Sequence, residues 1–206
     1  MYALVKDKKI VKYFAYPKGF TLNDNQYPAD IFTKWTKEQK ESLGIYEVIF
    51  DDSNKKDEEY YINTNQSFNF ADGKVTASYG TAFDKALEDV DAVDEDGKPI
   101  LQDGVQVVTY GLKTNKKSVI KQQASGLLAP TDWYVIKANE VEGYTVPTEV
   151  STFRADVRTK SNEMETLIDD CSTVAELKSL YEYTNTGTEE NPVITRPLPE
   201  FPKEVI

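Results

Sequence analysis

Short apolar stretches separated by turn residues fill the first half of the chain. Apolar residues recur along 2–6 and 10–14, which flank Asp7-Lys8-Lys9 and predict a β-hairpin. Residues 45–50 alternate between apolar and polar, as in a half-buried strand. One short helix is expected after Thr36, because Gln39 completes a capping box and Gly44 follows the helix end.

Further turn signals predict two later hairpins. Asp72-Gly73 lies between the strand-like stretches 67–70 and 74–79 and is typical of a type I′ turn. Asp103-Gly104 separates two more expected strands, at 100–101 and 105–110.

A helical period replaces the strand pattern after residue 110. A first helix is expected to end at Ala129-Pro130, and its apolar positions are Leu112, Val119, Ile120, Ala124, Leu127 and Leu128. Residues 131–136 are interpreted as a short connector. A longer helix is predicted from Pro147-Thr148 to Cys171, with Lys160 at one position of its apolar repeat. Thr173 and Glu176 form the capping box of a last helix.

Strands followed by helices predict an α+β protein. We expect a small antiparallel β-rich N-terminal domain over 1–110, with one short helix and an acidic loop at 84–103. A helical hairpin or bundle follows over 111–184. Four of the nine prolines lie in the last fifteen residues, so 185–206 is predicted to be an extended Pro-rich arm.

Composition excludes several classes of function. The 206 residues carry a formal net charge of −11, with no histidine and one cysteine. Without histidine there is no Ser-His-Asp or Cys-His catalysis and no histidine-based zinc site. The negative charge opposes binding to nucleic acid and to anionic membranes, and no apolar stretch is long enough to span a bilayer. We therefore expect a soluble, non-secreted protein that is not an enzyme and needs no cofactor.

Two clusters of charge are candidate ligand sites. Asp94-Glu95-Asp96-Gly97 with Asp103 partly matches a calcium loop, but Ala92 stands where the first ligand is required. A solvated acidic loop without metal is the preferred interpretation, and a glycosidase carboxylate pair is disfavoured because nothing in the sequence marks one pair. A lysine stripe is predicted on the side of the first long helix opposite its apolar residues, and it consists of Lys113, Lys116, Lys117 and Lys121. We expect these lysines to pair with acidic groups rather than to bind phosphate.

The second half of the chain carries a recognisable signature. Residues 125–136 (SGLLAPTDWYVI) precede 146–158 (VPTEVSTFRADVR). Together they resemble the Thr-Asp-Trp … Pro … Tyr-Arg-x-x-x-Arg signature of tailed-bacteriophage tail-fibre and tail-assembly-chaperone-like proteins, in a form common in marine and cyanobacterial phages. Phe153 stands where that signature often has tyrosine. Short segments near the N-terminus are similar to the N-terminal module of such proteins: Ala3-Leu4-Val5 to Tyr13, Tyr27-Pro28 and Leu43-Gly44-Ile45.

The signature residues are predicted to clasp two helices together. Arg154 and Arg158 are four apart and share a helix face. We expect Trp133 to stack on Phe153 or on a guanidinium, and Asp132 to pair with an arginine. Burial of Trp133 between the long helices is preferred over an exposed anchor at an interface. The longer helix is also a candidate docking helix, through Val150, Val157, Met164 and Leu167.

The resemblance implies a structural or assembly role with no catalytic residues. The expected function is a component of a phage virion tail, at the baseplate or fibre attachment, made in the host cytoplasm. Its partners would be other tail proteins and copies of itself. One alternative is a fibre-assembly chaperone that is not retained in the virion. Another is a carbohydrate-binding adhesin that uses the tyrosine-rich strands.

Overall fold

The chain forms two compact units in the computed structural model, which describes residues 1–203. The first unit spans 1–83 and is rich in strands, whereas the second begins at Asp84 and contains the long helices. The α+β class is therefore confirmed.

A five-stranded sheet, smaller strand pairs and two short helices make up the first unit. Its elements are β1 (Tyr2–Lys6), β2 (Lys9–Phe14), β3 (Phe20–Leu22), β4 (Asn25–Tyr27), α1 (Ile31–Lys34), α2 (Lys37–Ser42), β5 (Ile45–Asp51), β6 (Tyr61–Ile62), β7 (Ser67–Ala71) and β8 (Lys74–Ser78), and β9 (Phe83–Asp84) spans the boundary with the second unit. The main sheet has the strand order β2-β1-β5-β8-β7.

One strand pair departs from the predicted antiparallel sheet. β5 and β8 run parallel, with Val48 opposite Val75, while the other pairs are antiparallel. The hairpin of β7 and β8 places β8, and not β7, beside β5. β7 runs in the opposite direction to β5, and β8 runs in the opposite direction to β7, so β8 has the same direction as β5.

The predicted turns and caps of the first unit are present. Asp7 and Lys8 have φ of 51° and 63°, and Asp72 and Gly73 have φ of 51° and 71°, as type I′ turns require. The N–H of Gln39 donates to Thr36 Oγ1 at 3.3 Å, and the N–H of Thr36 donates to Gln39 Oε1 at 2.9 Å.

An aromatic cluster forms the main core of this unit. The fully buried Phe14 ring lies 4.8 Å from Phe20 and 5.1 Å from Phe32, centroid to centroid. Leu4, Ile31 and Ile45 complete the cluster, with Tyr2, Tyr27 and Trp35 packed at its margin. Tyr2 and Tyr27 are half-buried, and the hydroxyl of Tyr2 donates to the Phe32 carbonyl at 3.3 Å.

Small strands followed by helices make up the second unit. Its elements are β10 (Val90–Asp91), β11 (Leu101–Gln102), β12 (Val105–Gln106), β13 (Val108–Thr109), α3 (Leu112–Leu128), a 3-10 turn (Ala129–Thr131), α4 (Asp132–Glu140), α5 (Thr148–Asp169), α6 (Val174–Ser179), β14 (Thr184–Asn185) and β15 (Ile194–Thr195). α3 packs against α5.

The unit boundary lies between Phe83 and Asp84, whereas the sequence pattern predicts it near residue 110. The acidic loop at 84–103 belongs to the second unit because it forms hydrogen bonds with the start of α3. The N–H of Leu112 donates to the Ala86 carbonyl at 2.9 Å, and the N–H of Gly111 donates to Asp89 Oδ1 at 2.8 Å. A Cβ at Gly111 would lie 2.4 Å from the Glu88 carbonyl oxygen, so glycine permits this close approach.

Residues 131–136 do not form a connector, because most of them belong to α4. Pro130 ends the hydrogen-bonding of α3, but proline is compatible with the first turn of a new helical segment. Asp132 in the first turn of α4 then complements the positive end of the helix.

The C-terminal segment is not an extended arm over the residues described. β14 pairs with β15, and the N–H of Leu198 donates to the Leu180 carbonyl at 3.0 Å. Leu198 is buried, and Phe201 packs against the core cluster of Ala124, Phe153 and Val157. Two apolar side chains among the prolines therefore hold this segment against the helices. Residues 204–206 of the predicted arm lie outside the described residues.

Candidate functional site

Arg154 on α5 ties together the end of α3 and the start of α4. Its guanidinium pairs with Asp132 Oδ1 at 2.8 Å and donates to the Leu128 carbonyl at 3.1 Å and to Thr131 Oγ1. The Arg154 side chain is only 11% exposed, and Thr131 is buried with its hydroxyl donating to the Leu128 carbonyl at 2.7 Å. A cation at the last carbonyls of α3 also complements the negative end of that helix. We call Arg154, Asp132 and Thr131 the clasp.

The predicted pairing of Asp132 with an arginine is present, but the predicted stacking of Trp133 is wrong. Trp133 is half exposed, and its ring lies 3.8 Å from Tyr134, centroid to centroid, at an angle of 31°. Phe153 is instead buried in the core. Successive helical residues point about 100° apart, so Asp132 facing Arg154 turns Trp133 away from α5.

Arg158 does not join the clasp. Its guanidinium donates to the Arg154 carbonyl at 3.3 Å and is exposed.

The helix face proposed for docking is occupied within the unit. Val150, Val157 and Met164 are buried, and Leu167 is half-buried. This face of α5 packs inward and is not free to receive a partner.

Sequence reasoning missed two residues of that face. Ser161 and Ile168 are buried, and Lys160 lies outside the core, where it pairs with Glu163 at 2.7 Å. Steps of four and three residues from Val157 lead to Ser161, Met164 and Ile168, which are all buried. The apolar repeat is interrupted in the sequence because residue 161 is a polar serine. The hydroxyl of Ser161 donates to Glu165 Oε1 at 3.3 Å.

The exposed side of α4 is the candidate site. α4 contains no buried residue, and Trp133 and Ile136 are both half exposed. Lys137 Nζ lies 5.7 Å from the centroid of the Trp133 ring and 4.4 Å from that of Tyr144. We call Trp133, Tyr134, Ile136, Lys137 and Tyr144 the Trp133 surface. Tryptophan and tyrosine are among the residue types that contribute most binding energy at protein interfaces.

The lysine stripe pairs within the unit. Lys117 Nζ lies 2.6 Å from Asp169 Oδ1, and this hydrogen bond raises the pKa of Lys117. Lys121 pairs with Glu165 at 3.2 Å, and Lys113 pairs with Glu88 and donates to the Asp169 carbonyl. Lys116 lies over the Tyr181 ring. The prediction of pairing with acidic groups is confirmed for these three ion pairs.

In the acidic loop, Asp94 accepts the hydrogen bonds that build a turn. Asp94 Oδ1 accepts the N–H groups of Asp96 and Lys98, each at 2.9 Å. Across residues 1–203, no group of three or more cysteine and acidic side chains is arranged to hold a metal ion. Cys171 is buried, and burial raises the pKa of its thiol.

Comparisons with protein-family models, with curated proteins and with solved structures find no match to this chain. Within the described part of the chain, no helix has the length and apolar character needed to cross a membrane.

Proposed function

We propose that this chain is a non-enzymatic structural component of a phage virion tail that acts through protein–protein contacts. The resemblance of residues 125–158 to tail-fibre and tail-assembly proteins supports the class of function. The observation that carries the proposal is the Trp133 surface, since a half-exposed tryptophan on a helix without buried residues is suited to contact another protein.

The clasp gives this surface the rigidity that binding favours. Asp132 and Thr131, the two residues before Trp133, are held by the guanidinium of Arg154, whose side chain is 11% exposed. A fixed backbone lowers the conformational entropy lost when a side chain docks. The signature residues therefore have two roles: the clasp positions α4, and Trp133 makes the contact.

The proposed partners are other tail proteins and copies of this chain, at the baseplate or at the fibre attachment. The second candidate function is a fibre-assembly chaperone that leaves before the virion is complete. Mass spectrometry of purified particles of the phage that encodes the chain separates the two functions. We expect the chain at fixed stoichiometry in the particles; its absence from them, with presence in infected cells, favours the chaperone.

Trp133→Ala tests the surface itself. We expect the thermal unfolding midpoint to stay close to that of the parent, because exposed substitutions change stability by about 0.5 kcal/mol or less. The amount of chain in purified particles should fall sharply. Phe50→Ala is a matched control, since Phe50 is equally exposed but lies in the other unit. Normal incorporation of the Trp133 variant overturns this role of the surface.

A further inference from the structure

Residues 90–109 form a small ordered β-structure with an exposed apolar surface. β10 pairs with β13, β11 pairs with β12, and Val93 bridges Pro99, so the backbone is organised by its own hydrogen bonds. Several large apolar side chains nevertheless remain in solvent, with Leu101 58% and Val105 68% exposed. The others are Val90, Val93, Ile100 and Val108. We call residues 90–109 the acidic arm.

The charges of the acidic arm restrict what can cover it. Lys98 is its only basic residue, against five acidic ones: Asp91, Asp94, Glu95, Asp96 and Asp103. Two arms packed face to face would bring like charges together, which costs several kcal/mol. The occupant must therefore be both apolar and basic.

The hairpin of β1 and β2 has this combination. It carries one acidic residue, Asp7, and four exposed lysines: Lys6, Lys8, Lys9 and Lys12. Val11 and Tyr13 are exposed on the same hairpin. These four lysines form no ion pair in residues 1–203.

We infer that the acidic arm of one copy of this chain docks on the β1–β2 hairpin of a second copy. The contact deepens the proposed function and rests on it for its biological meaning, because it names one partner and the surface used. Two different surfaces meet, so the contact gives a two-fold dimer when it is made reciprocally, and a closed ring or an open chain when it is made head to tail.

Sedimentation velocity of the full-length protein, from micromolar to millimolar concentration, tests the association. We expect oligomers whose proportion rises with concentration and falls with added salt, because charges at the rim of an interface are screened. A chain that stays monomeric throughout this range at low salt overturns the inference.

The apolar contribution is tested with Leu101→Ser combined with Val105→Ser. We expect association to weaken by about tenfold or more, because both apolar side chains lose their burial. Val193→Ser combined with Ile194→Ser is the matched control, since these residues are similarly exposed outside the arm. Circular dichroism checks that both variants are folded. Equal weakening in both, or none in the arm variant, overturns the assignment to the arm.

A charge exchange identifies the pair of surfaces. One variant has a net acidic hairpin, made by Lys6→Glu, Lys9→Glu and Lys12→Glu. A second variant has a net basic arm, made by Asp91→Lys, Glu95→Lys and Asp96→Lys. Neither variant should associate alone, whereas an equimolar mixture should recover association, because each hairpin then meets an arm of opposite charge. Failure of the mixture to recover association overturns the pairing.

The charge exchange needs no phage, so its outcome is separable from the proposed function. Absence of the chain from virions would remove that function and leave a demonstrated self-association intact. A monomeric chain that is nevertheless present in virions would remove the self-association alone.

Discussion

The two units bury their apolar surface in different ways. Residues 1–83 contain seven of the nine phenylalanines and eight of the 13 tyrosines, and rings fill the core between short strands. The second unit relies on aliphatic side chains along α3 and α5, such as Ile120, Val157 and Ile168. Short strands bring few residues to the core, so each must be large, whereas a long helix repeats a small contact many times.

The units also differ in charge. Residues 1–83 carry 11 basic and 12 acidic side chains, whereas residues 84–206 carry 13 and 23. Almost all of the net charge of −11 therefore belongs to the second unit. The charge of this protein is thus a property of one unit's surface, and this asymmetry is the basis of the inferred contact between copies.

Phe14→Ala has the largest expected effect on stability and tests the aromatic core of the first unit. Removing a fully buried ring from the centre of the aromatic cluster should destabilise the first unit by about 3–5 kcal/mol. We expect loss of near-ultraviolet circular dichroism from the tyrosines, while helical signal from the second unit persists. Chemical denaturation measures the change. Phe50→Ala, at an exposed position, is the control, and equal effects of the two variants would contradict the assigned core.

Ile168→Ala applies the same test to the second unit. Ile168 is fully buried on α5, so truncation should cost about 2–5 kcal/mol. Far-ultraviolet circular dichroism during denaturation should show the helices unfolding earlier, with the aromatic signal of the first unit retained. Val119→Ala changes an exposed residue of α3 and should be nearly neutral. A loss of both units together would show that they unfold as one.

Arg154→Gln tests the clasp. It removes hydrogen bonds from a charged group to Thr131 and Leu128 and the ion pair with Asp132, and should cost about 1.5–3 kcal/mol. Arg158→Gln is the matched control one turn along α5, and its exposed guanidinium predicts a change within about 0.5 kcal/mol. Thermal unfolding measures both variants. Equal values for the two arginines would remove the special role of Arg154.

The smallest expected effect is the contribution of the Lys117–Asp169 pair to the loss of folding stability at alkaline pH. The raised pKa of Lys117 means that its charged form is stabilised on folding. This contribution is complete below the unfolded pKa of about 10.5 and disappears as pH rises through the folded pKa. The Lys117→Met variant should therefore lose less stability than the parent between neutral and alkaline pH in chemical denaturation.

The buried Cys171 thiol also makes the folding stability fall as pH rises, since its raised pKa disfavours the thiolate in the folded state. The comparison is therefore made in a Cys171→Ala background, with and without the Lys117→Met substitution. Identical dependence of the free energy of unfolding on pH, in the two chains, would contradict a contribution from the pair.

Local signals predicted local structure well. Asp72-Gly73 specified its turn, and Thr36 with Gln39 and Thr173 with Glu176 specified helix starts through bonds made within a few residues. The apolar repeat of α5 predicted a packed helix, but it could not reveal that Ser161 and Ile168 belong to the buried face.

The candidate site was predicted only in part. The sequence identified Asp132 as the partner of an arginine in the signature, because opposite charges there indicate a contact. It did not predict the exposure of Trp133, since that depends on α4 continuing as a helix after Pro130.

The α+β class, the turns, the helix caps and the spread of charge can be predicted from the amino-acid sequence, because they follow from residues close together along the chain. The parallel pairing of β5 with β8, the return of Leu198 and Phe201 to the helices, and the exposed position of Trp133 become visible only in the folded structure. These features depend on which distant surfaces meet, and the free energy of burying apolar area decides that only when the whole unit is assembled.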